Sequence, residues 1–160
     1  PQINTVEEAQ SVIDHSKYPP IGKRGVGLGR AHGYGKEFSR YLDNANQQTV
    51  IVLQAETQAV LECIEEISAI DAVDAILIGP YDLSASLGHM GEISHPVVQS
   101  AIESVKQACS SHNTQLGIFG VCADNVAPYK AMGFTLLTVG VDTLFVLSAA
   151  TAELQALRDA

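Results

Sequence analysis

Residues 49–57 read TVIVLQAET, and residues 72–83 read AVDAILIGPYDL. In each stretch a nearly continuous apolar run, rich in β-branched residues, stops at a glycine or a polar residue. Runs of this kind predict strands buried on both faces, as in parallel sheets covered by helices. Thr57 is suited to cap a helix over QAVLECIEEIS at 58–68. The alternation then continues towards the C-terminus. A helix is expected over 95–111, a strand over QLGIFGV at 115–121, a helix over 125–132 and a strand over TLLTVGV at 135–141. Asp142 is expected to cap a last helix that runs through Leu157.

Towards the N-terminus the pattern is less regular. Residues 5–15 predict a helix, with Thr5 as N-cap, Glu7 and Glu8 in the first turn, and Val6, Ala9, Val12 and Ile13 as the apolar stripe. It ends before Tyr18-Pro19-Pro20. Residues 21–35 are glycine-rich and lack periodicity, which predicts a long connection. Phe38, Tyr41, Leu42 and Ala45 then share helical spacing over 38–46.

Strands alternating with helices imply parallel pairing through helical crossovers, hence an α/β class. A doubly wound open sheet and part of a (β/α)8 TIM barrel both satisfy this pattern. A whole barrel needs about 250 residues, and this chain supplies only about four and a half βα units. PQI at 1–3 reads as the end of a strand whose beginning is absent. The barrel reading therefore carries the expectation of one partial domain over 1–160, truncated at its N-terminus.

Composition narrows the function classes. With 160 residues, 46% hydrophobic and 17% charged, the chain has the material for one globular core. Nine Lys and Arg against eighteen Asp and Glu give a formal charge of −9, a field that disfavours nucleic acid and anionic membrane partners. An anionic substrate then requires a local device such as a bound divalent cation. Cys63, Cys109 and Cys122 have no CxxC spacing and are expected to be reduced, packed thiols. No apolar run approaches the roughly 20 residues of a membrane span, and the expected compartment is the cytoplasm.

In either parallel architecture the active site forms at the carboxyl ends of the strands. The junctions there read Gln54-Ala55-Glu56, Gly79-Pro80-Tyr81-Asp82, Gly120-Val121 and Gly140-Val141-Asp142. Glu56 and Asp82 leave adjacent strands, which lie about 4.8 Å apart, so two carboxylates are positioned to reach one hard divalent cation. The competing reading of each acid is structural, with Asp82 as an N-cap or either acid favoured by a helix dipole. Gln54 shares a strand face with Glu56 and either meets a ligand or satisfies neighbouring backbone. The turn GPYDLSASLG offers backbone N–H groups to an anion, or is a plain tight turn. GVGLGR at 25–30 lacks both the preceding strand and the spacing of a dinucleotide loop. Arg30 and His32 read either as pocket-lining residues or as ordinary loop residues. His89 and His95 flank the loop after GPYDLSASLG, and His95 reads as a helix start; His15 and His112 read as surface residues near helix ends. No zinc-type ligand cluster or Ser-His-Asp pattern stands out.

YPPIGKRGVG at 18–27, VLQAET at 52–57 and IGPYDLSASLG at 78–88, followed by HPVVQ at 95–99 and VGVDT at 139–143, together resemble the HpcH/HpaI aldolase/citrate lyase family. The resemblance implies a (β/α)8 barrel, assembled as a homo-oligomer, usually a hexamer. It implies class II cleavage of 4-hydroxy-2-oxo acids to pyruvate and an aldehyde, through an enolate stabilised by Mg2+, Mn2+ or Co2+. By the QAET and GPYD matches, Glu56 and Asp82 are the metal ligands, while Gln54 and the backbone at Tyr81 and Asp82 hold the pyruvate carboxylate. The family's His base and an enolate-stabilising Arg correspond to strands before residue 1, so no catalytic residue is assigned within this chain. Tyr81 stands where the best-known members carry alanine. Two other readings compete: a non-catalytic metal- and oxo-acid-binding or assembly domain, and a CoA-ester lyase. The latter is disfavoured by GPYDLSASLG and by the lack of a basic patch for a CoA phosphate.

Overall fold

A computed structural model describes residues 1–160. Helix α1, Val6–Ser16, starts as expected, with Thr5 Oγ1 accepting from Glu8 N at 3.2 Å. A short 3-10 segment spans Arg30–Gly35 within the glycine-rich connection, and α2 follows over Phe38–Gln48. The regular part then runs β1 (Val52–Ala55), α3 (Gln58–Leu61), α4 (Ile64–Ser68), β2 (Ala75–Ile78), α5 (Pro80–Ser86) and α6 (Pro96–His112). It closes with β3 (Gln115–Gly120), α7 (Ala123–Ala131), β4 (Leu136–Val139) and α8 (Asp142–Asp159).

The four strands form one parallel sheet in the order β1-β2-β3-β4. A doubly wound sheet needs a point where strand order reverses. Here the order never reverses, which matches successive units of a barrel wall. Register and alternation divide the sheet into two unlike faces. Leu53, Ile76 and Leu116 stand side by side, as do Ala55, Ile78 and Ile118. All six are buried in the hydrophobic core, together with Val98, Ile102 and Val105 of α6. The intervening Val52, Gln54, Leu77 and Phe119 are exposed or half-buried and point to the opposite face. In a closed barrel that face is the interior.

The glycine-rich connection is held by one polar node. The Asn46 side chain accepts from Tyr18 N at 2.7 Å and donates to Tyr18 O at 2.9 Å, so one amide substitutes for a strand partner. Lys17 is buried, and its Nζ donates to the carbonyls of Asn46 and Thr49 at the C-terminus of α2, where the helix dipole favours a cation. Arg24 lies over the Tyr18 ring at 4.7 Å. The YPPIGKRG segment is thus a structural clasp between α1 and α2.

Several expectations are corrected. The strand expected over 49–56 is confined to Val52–Ala55 and is not buried on both faces: Val52, on the open face, is 39% exposed. The helix over 58–68 breaks at Cys63, whose backbone is non-helical and whose thiol donates to Asn4 O at 3.4 Å. Asp142 is not the last N-cap. Val141 holds that position in extended conformation, and Asp142 Oδ1 accepts from Thr143 N in the first turn. Cys122 is exposed at the start of α7, so only Cys109 and, in part, Cys63 are packed thiols. No residue of α8 is buried, and its Phe145, Val146 and Leu147 are all more than half exposed. No helix is long and apolar enough to cross a membrane.

The two faces should respond differently to truncation. Ile78→Ala leaves a cavity against the helices and should cost about 2–5 kcal/mol in urea unfolding. Leu77→Ala on the open face should cost about 1 kcal/mol or less, because it loses only part of a buried side chain's transfer energy. Equal losses at the two positions would contradict the division of faces.

Candidate active site

Glu56 follows the last residue of β1 and shares the open face of the sheet with Gln54. It is one of few buried charged residues, at 5% exposure. Its Oε1 accepts from the backbone N–H of Gln2 at 2.6 Å, and its Oε2 accepts from Gln54 Nε2 at 3.3 Å. Gln2 adopts a left-handed backbone, with φ of 52°, at the point where it donates. Sequence left Gln54 either to meet a ligand or to satisfy neighbouring backbone; in the structure its amide supports the Glu56 carboxylate.

The turn after β2 closes over the same carboxylate. Ala55 pairs with Ile78 in register, and Gly79 N donates to Ala55 O at 3.3 Å. A Cβ built on Gly79 would stand 2.7 Å from Glu56 Oε2 and 3.1 Å from Glu56 Cβ. Only a residue without a side chain fits this approach. Gly79 is also the N-cap of α5, followed by Pro80 at the first helical position, which needs no amide donor. Asp82 consequently lies in the first turn and is not the N-cap that one reading of the sequence made it. It is exposed, at the same end of the sheet as Glu56 and three residues beyond the glycine that touches it.

Ion pairs join Lys23 to Asp14, Arg40 to Glu37 and Lys106 to Glu103, while His89 and His112 contact Glu92 and Glu65. Neither Glu56 nor Asp82 is engaged in one. Two carboxylates without a cationic side chain, one of them buried, are a donor set suited to a hard divalent cation. Tyr81 is 53% exposed, and a Cβ built on Gly91, in the loop after α5, would stand 3.5 Å from its ring. In the first turn of α5 the amides of Tyr81 and Asp82 have no partner four residues back within the helix.

Residues 1–149 match the sequence profile of the HpcH/HpaI aldolase/citrate lyase family. The chain belongs to this family. Among its curated relatives, 4-hydroxy-2-oxovalerate aldolase of Rhodococcus jostii is 39% identical over 143 residues, covering 89% of this chain and 55% of that protein. The 5-keto-4-deoxy-D-glucarate aldolase of Shigella dysenteriae is 37% identical over 155 residues, covering 96% of this chain and 60% of that protein. A crystal structure of an HpcH/HpaI aldolase/citrate lyase family protein from Burkholderia cenocepacia superposes with a TM-score of 0.91 at 34% identity, over 98% of this chain and 62% of that one. An HpcH/HpaI aldolase from Desulfitobacterium hafniense superposes at 0.87 and 26% identity, over 99% of this chain and 62% of that one. The chain thus spans little more than half the length of these family members, as a contiguous part of the TIM-barrel-like fold.

Other side chains contribute less. His32 is 5% exposed and packs on Tyr41 at 4.4 Å and Phe38 at 5.4 Å, with neither ring nitrogen bonded. Arg30 is exposed. Burial pushes the Cys109 and Cys63 thiols up, the opposite of what a nucleophile requires. One grouping escaped the sequence reading: His89, Glu92 and His95 bring ligand atoms within 4.8 Å of one another. The signal was present as a His-x-x-Glu-x-x-His spacing, but in a loop such a spacing converges only through the particular turns the backbone makes, here one at 89–92 and one at 92–95.

Gly79→Ala tests the close approach of Glu56. The added methyl must displace the carboxylate or the turn, and overpacking of this kind should cost about 1–3 kcal/mol in urea unfolding. An unchanged midpoint would place the Glu56 side chain elsewhere.

Proposed function

We propose that this chain carries the metal- and oxo-acid-binding part of a class II pyruvate aldolase, with Glu56 and Asp82 as ligands of a divalent cation (Mg2+, Mn2+ or Co2+). The observation that carries the proposal is the buried Glu56 carboxylate, held by Gln2 and Gln54 against the turn that presents Asp82. Aldolase is the activity named for both curated relatives compared above.

Each residue has a distinct task in this reading. Glu56 is oriented by two donors, so its carboxylate is fixed before a cation arrives. Asp82, exposed on a short helix, completes the oxygen set from the neighbouring strand's turn. Gln54 and the amides of Tyr81 and Asp82 orient the carboxylate of a small 2-oxo acid. The bound cation supplies Lewis-acid stabilisation of negative charge on the oxo-acid oxygens during carbon–carbon cleavage. An acidic chain thereby accepts an anionic substrate, because the local charge is inverted at one point. Tyr81 at the rim bears on the aldehyde half of the substrate. A homo-oligomer, hexameric by the resemblance, accords with the exposed apolar residues of α8.

Binding of Mn2+, followed through the loss of its free-ion electron paramagnetic resonance signal, tests the assignment. Glu56→Gln and Asp82→Asn should each weaken Mn2+ by about tenfold or more, as losing a ligand requires, and pyruvate should tighten Mn2+ only in the unaltered chain. Mn2+ binding that survives both substitutions together would sink the ligand assignment.

A further inference from the structure

The loop joining α5 to α6 is not an irregular tether. Glu92 N donates to His89 O at 2.9 Å, and His95 N donates to Glu92 O at 2.9 Å. These are two successive turns, the first with Gly91 at a positive φ of 81°, and they fold the loop back on itself. His89, Glu92 and His95 thereby bring their ligand atoms within 4.8 Å of one another. Two further bonds fix the loop to α5: His89 N donates to Ser84 O at 2.8 Å, and Gly91 N donates to the Ser84 hydroxyl at 2.9 Å. Ser84 is fully buried, so the anchor is rigid.

The imidazoles of His89 and His95 stack with centroids 3.5 Å apart and planes 18° from parallel, and His89 Nδ1 lies 3.9 Å from Glu92 Oε2. Both rings are half-buried and Glu92 is exposed, so water and ions reach the cluster from the carboxylate side. Stacking places the in-plane lone pairs side by side. The in-plane lone pairs of parallel rings do not converge, so binding one ion requires the stack to open, and the exposed Glu92 side chain is placed to follow. His95 Nδ1 accepts from Val97 N at 3.3 Å, a long contact that the imidazole can give up on turning.

We infer that His89, Glu92 and His95 form a second cation site, for a borderline divalent metal such as Zn2+, separate in residues and in ligand chemistry from the Glu56–Asp82 pair. Two imidazoles and one carboxylate are a recurrent zinc ligand set that leaves a position for water, whereas two carboxylates alone suit harder ions. Loading this site locks the loop whose Gly91 lies against the Tyr81 ring, so the ion braces the rim of the candidate active site.

Zn2+ titration of the Glu56→Gln/Asp82→Asn chain by calorimetry isolates this site from the first. One equivalent of Zn2+ should still bind, and adding His89→Ala or His95→Ala should weaken it by about tenfold or more, with Glu92→Gln weakening it less. Diethylpyrocarbonate labelling of the unaltered chain, read by mass spectrometry, avoids reliance on the folding of variants. Zn2+ should protect His89 and His95 and leave His15 and His112 labelled. Affinity unchanged by the histidine substitutions, or equal labelling of all four residues with and without Zn2+, would overturn the second site. Zn2+ binding lost with Glu56 and Asp82 but kept without His89 and His95 would also overturn it, while leaving the proposed function intact.

Discussion

The period-two alternation of a parallel sheet is the constraint from which the rest of this structure follows. In β1 it sends Leu53 and Ala55 to the helices and Gln54 and Glu56 to the other side. Because β2 and β3 pair in register, Ile76 with Leu116 and Ile78 with Ile118 extend the same apolar surface, and α6 covers it. The core is thereby complete on one face without any contribution from the other. That freedom lets a strand with a buried apolar function also carry a glutamine and a glutamate at its carboxyl end. A shift of pairing by one residue would place Glu56 among the helices, where no donor awaits it.

Glycine at 79 is the second requirement. A parallel strand must turn sharply into its helix, and here the turn also approaches the side chain that leaves the neighbouring strand. The apolar packing under the turn, with Leu83 fully buried, fixes α5 in place and hence the height at which Asp82 emerges. Ser84 extends this control further along the chain. Its hydroxyl donates to Tyr81 O at 2.6 Å and accepts from Gly91 N, so one buried polar atom links the first turn of α5 to the following loop. Both candidate sites thus depend on the seating of one seven-residue helix.

Local signals were legible in the sequence where they act locally. Thr5, Thr57 and His95 sit at N-caps as expected, because the N-terminal amides of a helix demand an acceptor whatever the tertiary setting. The strand positions followed from apolar runs rich in β-branched residues. What failed depended on neighbours remote in sequence. Val50 is apolar yet 67% exposed, two residues before a strand at the edge of the sheet. The break at Cys63 is tied to Asn4, fifty-nine residues away. Asp82 and Asp142 looked like caps because acids before helices usually are, but Gly79 and Val141 hold those positions. The role of Gln54 needed the rotamer of Glu56, and the convergence of His89, Glu92 and His95 needed the winding of their loop.

A structural role for Glu56 would leave a different imprint. Buried carboxylates kept for stability alone are ordinarily paired with arginine or lysine, because an unpaired charge loses its hydration without compensation. Lys17 shows that this chain can bury an ammonium, yet it sits on the carbonyls at the end of α2. Glu56 instead receives one backbone amide and one side-chain amide, both neutral donors, at the open end of a sheet. Neutral donors orient a carboxylate without cancelling its charge. In the proposed reading that charge is available to an exogenous cation, and Asp82, at the same end of the sheet, is the second ligand. A carboxylate held rigidly on neutral donors is, in that reading, already placed for a cation, and binding of that cation adds to the stability of the fold.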